Sequence, residues 1–346
     1  MAGTGADGGF GGEHEAAAFV LDEIFGYLHS AALRAAAALN LADHLRDGPR
    51  TVGELAELTG CAALAIHRVL RLLATRGLFS EQEPGRFRLT PPAAALCTTS
   101  PVSVREAVLM MTEPAMWRSA GEVVDSARDA TPSFDRIFGM SLFEYYARDP
   151  EAAAGFNDGM AAFSRVENAP VAAACEIPED ATVVDVGGGR GGLLLEVLRR
   201  NPSARGILFD LAHVLEGGRP APEPGPAERL RSVAGDFLTG VPVGDVVLLK
   251  RILHDWDDAT CVRILRNCRD ALRPGGHLLV FDAVLAEGDE PQQAKALDLL
   301  MMTVLPGHER TEAQFRDLFR AADLTLRSIT HVHAMPVSVL KVVPSP

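Results

Sequence analysis

Residues 181–192 read A-T-V-V-D-V-G-G-G-R-G-G, and this stretch decides the fold of the chain. The β-branched run at 182–186 has the composition of a buried strand. Glycines follow at positions 187–189, 191 and 192, before an apolar, helix-forming segment. A strand that passes through a glycine turn into a helix N-terminus presents backbone N–H groups to a ligand, and a Cβ there would hold the ligand away. We therefore expect a ligand site at this turn, with the carboxylate of Asp185 beside it.

Two classes of ligand fit this turn. The spacing Gly187-x-Gly189-x-x-Gly192 satisfies the dinucleotide pattern, and Asp210 follows at the expected distance of ~20 residues to hold a ribose. The same turn also reads Asp185-x-Gly187-x-Gly189-x-Gly191, a form that resembles S-adenosylmethionine (SAM) methyltransferases. The turn alone leaves both classes open.

The composition narrows the class of protein. At 346 residues the chain exceeds a usual single domain, and its net charge of −13 argues against a nucleic-acid partner. Five scattered cysteines without a C-x-x-C pair indicate a reducing cytoplasm, with neither a disulfide framework nor a zinc site. We expect no signal peptide, because residues 1–15 are Gly-rich and acidic. We also expect no membrane span, because no run approaches ~20 apolar residues.

The first hundred residues predict a disordered leader over 1–14 and then a winged helix-turn-helix over 15–100. Thr51 and Glu54 have the spacing of a capping box. DNA binding is the alternative, but residues 1–100 contain more acidic than basic side chains and offer few phosphate contacts. A packing or dimerisation module is favoured. The expected elements are helices over 16–40, 41–45, 52–58 and 62–76 and a β-hairpin wing over 78–89.

Residues 101–175 predict a helical linker that is rich in methionine and aromatic side chains. Most of these side chains are expected in the core, and the remainder are expected to line a flat, apolar substrate pocket. The residues predicted for this pocket, two of them from further along the chain, are Met110, Trp117, Phe143, Asn157, Met160, Met301 and Met302.

From residue 176 to residue 346, strands and helices alternate, which is the signature of a parallel α/β sheet. Residues 219–227 are rich in proline and glycine and predict a loop. Strands are expected over 182–186, 206–210, 230–234, 245–250, 277–283, 324–330 and 337–343, and helices over 192–200, 259–271 and 311–321.

Two further motifs stand where strands are expected to end, the edge at which open α/β sheets bind ligands. One contains Asp210 and Leu211, where the carboxylate can accept from both ribose hydroxyls. The other contains Gly235, Asp236 and Phe237, where the aspartate can accept from an adenine amino group and the ring can pack on the base. An aspartate at a strand end is also a common helix cap or turn residue. In series after the glycine turn, these motifs describe a nucleoside pocket.

The segment L-K-R-I-L-H-D-W-D-D at 249–258 carries His254 to the end of a hydrophobic strand. Asp257 or Asp258 can cap the helix that follows, but a cap explains neither His254 nor Trp256. Together with D-x-G-x-G-x-G and G-D-F, the pattern K-x-x-x-H-D-W-x-D resembles the small-molecule O-methyltransferases. These include plant phenolic enzymes, acetylserotonin methyltransferase and bacterial enzymes that tailor antibiotics.

The resemblance covers nearly the whole chain. It implies a Rossmann-like class I methyltransferase sheet, a winged-helix N-terminal dimerisation domain, a homodimer, SAM as cofactor and no metal. It implies that His254 is the general base, oriented by acidic residues that match Asp282 and Glu309, with Asp255 as a further candidate. Tyr146 and Phe163 match residues that flank SAM, and Lys250, with Arg251 beside it, matches a residue at the adenosyl end. The chain departs from the family pattern in having Asp282, where Glu is frequent, and P-G-H at 306–308.

The function expected from these motifs is SAM-dependent O-methylation of an aromatic or polyketide-type small molecule, in secondary-metabolite or antibiotic biosynthesis. A family member that keeps SAM but catalyses hydroxylation, decarboxylation or ring closure is the main alternative. Such members often lack the base or its acidic partner, whereas His254 and Glu309 are both present. A nicotinamide dehydrogenase is the second alternative, and it leaves Asp236 and the H-D-W segment without a role.

Overall fold

A computed structural model describes residues 12–216, 225–332 and 336–346. These residues divide into two compact units. The first unit runs to Pro114 and includes Ala154–Ala162, and the second comprises Ala115–Ala153 and Phe163–Pro346. Most of the predicted leader and most of the loop predicted over 219–227 lie outside the described residues.

The first unit is mainly helical. Its three-stranded antiparallel sheet contains the predicted wing. The predicted capping box is present, because the Thr51 hydroxyl accepts from the N–H of Glu54 while the Glu54 carboxylate accepts from the N–H of Thr51. The elements are α1 (Glu13–Glu23), α2 (Gly26–Ala38), α3 (Leu41–His44), β1 (Arg50–Thr51), α4 (Val52–Thr59), α5 (Ala63–Ala74), β2 (Phe79–Glu83), β3 (Arg86–Leu89), α6 (Pro91–Ala94) and α7 (Arg105–Met111).

The helix predicted over 16–40 is two helices, with the break just before Gly26, where glycine lowers helix propensity. The core of this unit gathers Leu41, Leu55, Leu70, Phe79 and Phe87 between the helices and the wing. The wing therefore contributes two large aromatic side chains to the core that the helices surround.

The helical stretch Glu13–Ala38 is long and apolar enough to cross a membrane by length and composition. The expectation that no run approaches a span is therefore wrong for this stretch, because its many alanines raise the mean hydropathy without adding bulk. Core helices of soluble proteins and signal sequences pass the same test, so it is weak evidence for a span. Every residue of α1 is at least partly exposed.

The second unit contains the predicted α/β sheet, and helix α12 (Pro150–Ala173) contributes to both units. Its other helices are α8 (Pro114–Gly121), α9 (Val123–Asp129), α10 (Ser133–Phe138), α11 (Leu142–Arg148), α13 (Gly192–Arg200), α14 (Ala212–Glu216), α15 (Asp258–Asp270), α16 (Gln293–Val304) and α17 (Glu312–Ala321). Its strands are β4 (Thr182–Val186), β5 (Arg205–Asp210), β6 (Leu230–Ala234), β7 (Gly244–Lys250), β8 (Leu272–Asp282), β9 (Val284–Leu285), β10 (Arg310–Thr311), β11 (Leu324–His331) and β12 (Ser338–Pro344).

The seven-stranded sheet has the order β11-β12-β8-β7-β4-β5-β6. Strands β8, β7, β4, β5 and β6 are parallel, and β12 runs antiparallel to both of its neighbours. The sheet is buried on both faces, since Val183 packs into one core cluster and its neighbour Val184 into the other. This burial explains why the strands read as nearly continuous apolar runs.

Most of the predicted elements of this unit are present, with ends that move by a few residues. Strand β8 begins at Leu272 and not at residue 277, so it includes a Pro-Gly-Gly segment that predicts a turn. Helix α16 was not predicted, because its run L-D-L-L-M-M is too continuously apolar to show a helical period. The short helix α14 was also missed.

Candidate active site

The glycine turn lies at the end of β4, which has β5 on one side and β7 on the other. The strand order reverses at this point, where open α/β sheets bind ligands. Gly187 and Gly189 have φ angles of +66° and +56°. A Cβ on Gly187 would lie 2.5 Å from Cδ1 of Ile252, whereas a Cβ on Gly189 would meet nothing within 4 Å. The turn thus leaves open space against the backbone of Gly189, as a bound ligand requires.

Two carboxylates flank the turn. Asp185 is buried, and burial raises its pKa to about 7, although Lys250 favours the charged form. Asp210 accepts from the N–H groups of Gly189 at 2.8 Å and Leu211 at 2.7 Å. The side chain of Asp210 therefore reaches the glycine turn from the neighbouring strand, β5.

The G-D-F segment follows β6. A Cβ on Gly235 would lie 2.7 Å from Cζ of Phe209, so only glycine fits beside that ring. Oδ1 of Asp236 accepts from the N–H of Leu238 at 2.8 Å, which is the turn role considered above for an aspartate at a strand end. The ring of Phe237 lies 6.1 Å from Trp256 in an edge-to-face arrangement. The G-D-F segment at the end of β6 thus contacts the H-D-W segment through these two rings.

The other residues predicted to contact the cofactor lie on α11, on α12 and at the end of β7. Tyr146 is buried, and its ring lies 5.6 Å from that of Tyr145. Phe163 is half-buried on α12. Lys250 and Arg251 both contact Glu167, one helical turn further along α12.

His254 lies in the 3₁₀ turn Leu253–Asp255, just beyond the end of β7. Its Nδ1 atom is 2.8 Å from Oε1 of Glu309, and its Nε2 atom is 3.3 Å from Oδ1 of Asp255. Asp257 caps α15 by accepting from the N–H of Thr260 at 2.7 Å. The H-D-W segment therefore has both predicted roles. Asp257 caps helix α15, and His254 contacts the carboxylates of Glu309 and Asp255.

Long-range contacts bring Glu309 to His254. Strand β10 pairs in parallel with β9, so that Arg310 lies opposite Val284, two residues after Asp282. A Cβ on Gly307 would clash with the carbonyl oxygen of His254, so only glycine fits against the turn. The two acidic residues therefore converge on one histidine through strand pairing.

Arg310 fixes the turn from inside the protein. Its fully buried guanidinium donates to the carbonyl oxygens of Leu253 at 2.8 Å and Trp256 at 3.0 Å, and to Oδ1 of Asp258 at 2.7 Å. These contacts hold the backbone on both sides of His254. The sequence analysis assigned no role to Arg310, although it directly follows Glu309.

The charges around His254 change its pKa. Burial disfavours the imidazolium, but Asp255, Glu309 and Asp282 outweigh burial and raise the pKa of His254 to about 9. Burial also raises the pKa of Asp255 to about 6 and that of Asp282 to about 7. Neither carboxylate oxygen of Asp282 has a hydrogen-bond partner among the described residues. Asp282 therefore acts on His254 through its charge, whereas Glu309 makes a hydrogen bond.

The residues predicted for the substrate pocket are divided between the two units. Met110, Asn157 and Met160 belong to the first unit, and Trp117, Phe143, Met301 and Met302 belong to the second. Gly159 lets α12 approach α7 closely, because a Cβ there would lie 2.6 Å from the sulfur of Met110. The ring of Phe143 stacks on Trp256 at 6.1 Å, which places one predicted pocket residue beside the H-D-W turn.

Among the described residues, no group of three or more His, Cys, Asp or Glu side chains has the arrangement of a metal site. The described site has a histidine between carboxylates at the carboxyl edge of a parallel sheet, beside a glycine turn.

Comparison with known proteins identifies this arrangement. Residues 117–324 match the O-methyltransferase domain, and residues 21–99 match the O-methyltransferase dimerisation domain. The fold and the site define a class I, SAM-dependent methyltransferase. The chain belongs to the O-methyltransferase family that includes plant enzymes and bacterial enzymes of antibiotic biosynthesis. Membership of this family excludes the alternative that the glycine turn belongs to a nicotinamide dehydrogenase.

Three relatives show the closeness of the match. The phenazine O-methyltransferase PhzM of Lysobacter antibioticus is 41% identical over 312 residues, which are 90% of this chain and 91% of the relative. The crystal structure of CalO1, a methyltransferase of calicheamicin biosynthesis with S-adenosylhomocysteine bound, has a TM-score of 0.89 at 44% identity, covering 96% of this chain and 99% of that one. The neocarzinostatin O-methyltransferase NcsB1, in complex with SAM and 2-hydroxy-5-methyl naphthoic acid, has a TM-score of 0.72 at 30% identity, covering 91% and 95%.

Proposed function

We propose that this O-methyltransferase methylates a hydroxyl group of an aromatic or polyketide-type small molecule and uses His254 as the general base. The observation that carries the proposal is the pair of contacts of His254, with Glu309 on one ring nitrogen and Asp255 near the other. Three relatives that act in antibiotic pathways or bind a naphthoic acid support the substrate class.

Residues at the carboxyl edge of the sheet are proposed to hold the cofactor. In this proposal, the backbone of the glycine turn lies against the cofactor at Gly189, Asp210 accepts from the ribose hydroxyls, and Asp236 accepts from the adenine amino group. When bound, SAM supplies an electrophilic methyl group. The open space beside Gly189 and the position of the turn between β5 and β7 fit such a ligand.

His254 removes the proton of the substrate hydroxyl through Nε2 as the oxygen–methyl bond forms and the methyl–sulfur bond breaks. A phenol has a pKa of about 10, so full transfer to a histidine of pKa ~6.5 would cost about 5 kcal/mol. At a pKa of about 9 for His254, the same transfer costs only about 1 kcal/mol. Glu309 holds the Nδ1 proton, which leaves Nε2 to act as the base. The three carboxylates around the imidazole ring thus bring the pKa of His254 close to that of a phenol.

The chain acts as a homodimer in this proposal. Residues 15–100 form the dimerisation module, residues 101–175 line the substrate pocket, and residues 176–346 bind the cofactor. The match of residues 21–99 to a dimerisation domain supports the assembly. The exposed apolar side chains of α1 and its neighbourhood, Phe19, Val20, Leu21, Ile24 and Phe25, offer it a surface. All five cysteines carry free thiols, which suits a reducing cytoplasm.

Calorimetric titration with S-adenosylhomocysteine, run beside NAD, tests the cofactor. We expect micromolar binding of the former and none of the latter. A panel of phenols and hydroxynaphthoic acids, each paired with its O-methyl ether, is then incubated with SAM, and mass spectrometry detects the transfer of one methyl group. A product without an added methyl group would instead identify a diverged reaction.

The variant His254→Ala tests the base. We expect kcat to fall by ~10²-fold or more, since general-base help is worth about 10²–10⁴ in rate, while the affinity for S-adenosylhomocysteine is kept. His331→Gln, which changes an exposed histidine on the edge strand β11, is the matched control. An unchanged kcat in His254→Ala would remove His254 from the role of base.

A further inference from the structure

Two consecutive cations at the end of β7 share one buried carboxylate. The guanidinium of Arg251 donates to Glu167 at 2.5 Å and 3.3 Å, and Nζ of Lys250 lies 3.1 Å from the same carboxylate. The three side chains are at most 10% exposed. Nζ of Lys250 also donates to Ser164 at 3.2 Å and to Asn168 at 3.1 Å, so helix α12 surrounds this amine with acceptors.

The carboxylate of Glu167 in this cluster favours its ionised form. Burial works to raise the pKa of Glu167, but Arg251 and Lys250 outweigh burial and hold that pKa below its ordinary value. Breaking a buried ion pair by removing one partner leaves an uncompensated buried charge, which is strongly unfavourable. Glu167 therefore holds the charged ends of Lys250 and Arg251 beside helix α12.

Arg251 is also close to the acidic residues of the candidate active site. Besides Glu167, which contributes most, Asp282 and Glu309 favour the charged form of Arg251 and help to raise its pKa against the effect of burial. The N–H of Arg251 donates to the carbonyl oxygen of Phe281 at 2.9 Å, which places Arg251 beside the strand that ends in Asp282. Besides Glu167, the carboxylates whose charges act on this guanidinium are Asp282 and Glu309, which also act on His254.

The backbone connects the same two sites. Arg251 has a φ angle of +52°, a conformation that costs a non-glycine residue about 1–2 kcal/mol, and His254 follows three residues later. Such strain persists only where surrounding contacts hold the residue in place. The contacts that hold Arg251 are the ion pair with Glu167 and the hydrogen bond to Phe281.

We propose that Glu167 is a positioning residue for methyl transfer: it holds Arg251 and Lys250 on the side of α12, so that Asp282 and Glu309 remain engaged with His254. The proposal rests on the function proposed above only for its effect on catalysis. The groups that face His254 are Asp255 from its own turn, Asp282 from β8 and Glu309 from the segment before β10.

The sign of the effect follows from these charges. In Glu167→Gln the side chain keeps its shape and loses its charge, and Arg251 turns its charge toward Asp282 and Glu309. More positive charge near an imidazolium favours its deprotonation. We expect the pKa of His254 to fall by about one unit, the size of shift that a nearby unit charge causes.

The direct measurement is an NMR titration of the intact protein labelled with ¹³C at the histidine ring, with the His254 signal assigned by its loss in His254→Gln. The control is Glu312→Gln, which breaks an exposed ion pair with Arg316 of the same helix and should leave the pKa of His254 unchanged. The double variant Glu167→Gln/Arg251→Gln has the net charge of the wild-type cluster and should return the pKa toward the wild-type value. Should Glu167→Gln fail to fold, Arg251→Gln alone provides the opposite test, because loss of the cation should raise the pKa of His254.

Kinetics separates this proposal from the assignment of the base. If His254 is the base, the acid limb of the kcat–pH profile moves to lower pH in Glu167→Gln together with the NMR titration. An NMR shift without a movement of the kinetic limb would confirm that Glu167 controls the charges around His254, but would reject both His254 as the base and a part for Glu167 in methyl transfer. An unchanged NMR pKa in Glu167→Gln, or a shift that the double variant does not reverse, would overturn the positioning role.

Discussion

The Nδ1 atom of His254 lies 2.8 Å from Oε1 of Glu309, a residue 55 positions further along the chain. The turn that carries His254 and the segment that carries Glu309 are held together by Arg310, which donates to the carbonyl oxygen of Leu253. Gly307 completes the contact, because any side chain there would push the two segments apart. The orientation of the imidazole is therefore a property of the packed site and not of the H-D-W segment alone.

Glu309→Gln tests this relationship. The amide keeps the size of the side chain but loses the charge that steadies the imidazolium, so we expect kcat to fall by ~10²-fold with little change in the KM for SAM. Glu312→Gln, which alters an exposed carboxylate three residues away, should retain wild-type kinetics. A Glu309→Gln enzyme with normal kcat would mean that the hydrogen bond seen at Nδ1 has no part in catalysis.

The pH dependence of kcat reports the proton affinity of His254. The surrounding carboxylates raise its pKa to about 9, so the base is protonated and inactive at low pH and becomes available as the pH rises. We expect kcat to increase with pH through an acid limb well above the ordinary value of ~6.5.

Asp255→Asn gives the matching test, because the charge of Asp255 is the largest single cause that raises the pKa of His254. Its limb should lie at lower pH than that of the wild type. The measurement is kcat with saturating phenol and SAM between pH 6 and pH 10. A wild-type limb at or below ~6.5 would contradict the electrostatic description of the site.

Gly189→Ala separates backbone strain from loss of the cofactor site. Gly189 has a φ angle of +56° and Gly288 a φ angle of +81°, and a Cβ on either would meet nothing within 4 Å. Both alanine variants therefore carry a backbone cost of about 1–2 kcal/mol without a clash. Only Gly189→Ala should weaken S-adenosylhomocysteine binding, by ~10-fold or more, because its Cβ enters the space proposed for the cofactor. Equal calorimetric affinities of the two variants would place the cofactor elsewhere.

Charges on the exposed face of α1 test the dimer. Phe19 and Val20 are 53% and 61% exposed, so Phe19→Glu with Val20→Glu should cost the isolated fold little. We expect sedimentation to show the wild-type protein at about twice 36.9 kDa and the double variant near 36.9 kDa. Lys substitution at Glu23, also on α1, is the control for a change of charge. A wild-type species near 36.9 kDa would contradict the homodimer.

Much of the second unit could be predicted, because its signals are local. Strand β4 and helix α13 have the predicted bounds, since a β-branched run, a cluster of glycines and an apolar helix follow one another without interruption. Helix α16 could not be predicted in the same way, because its continuous apolar run hides the helical period. The N-terminal helix is interrupted between Glu23 and Gly26, where composition alone predicts a single element.

The sequence by itself determined the class of cofactor pocket, the series of strand-end aspartates and the histidine that follows β7, since each depends on residues that are close along the chain. Only the tertiary structure decided which acids reach His254 and how. The register of β9 with β10 brings Glu309 into a hydrogen bond, while Asp282 acts through charge alone. The sharing of Glu167 between Lys250 and Arg251 also depends on packing, because helix α12 meets β7 across more than 80 residues of chain. Contacts of this kind depend on the register and docking of distant elements, which no local pattern of residues specifies.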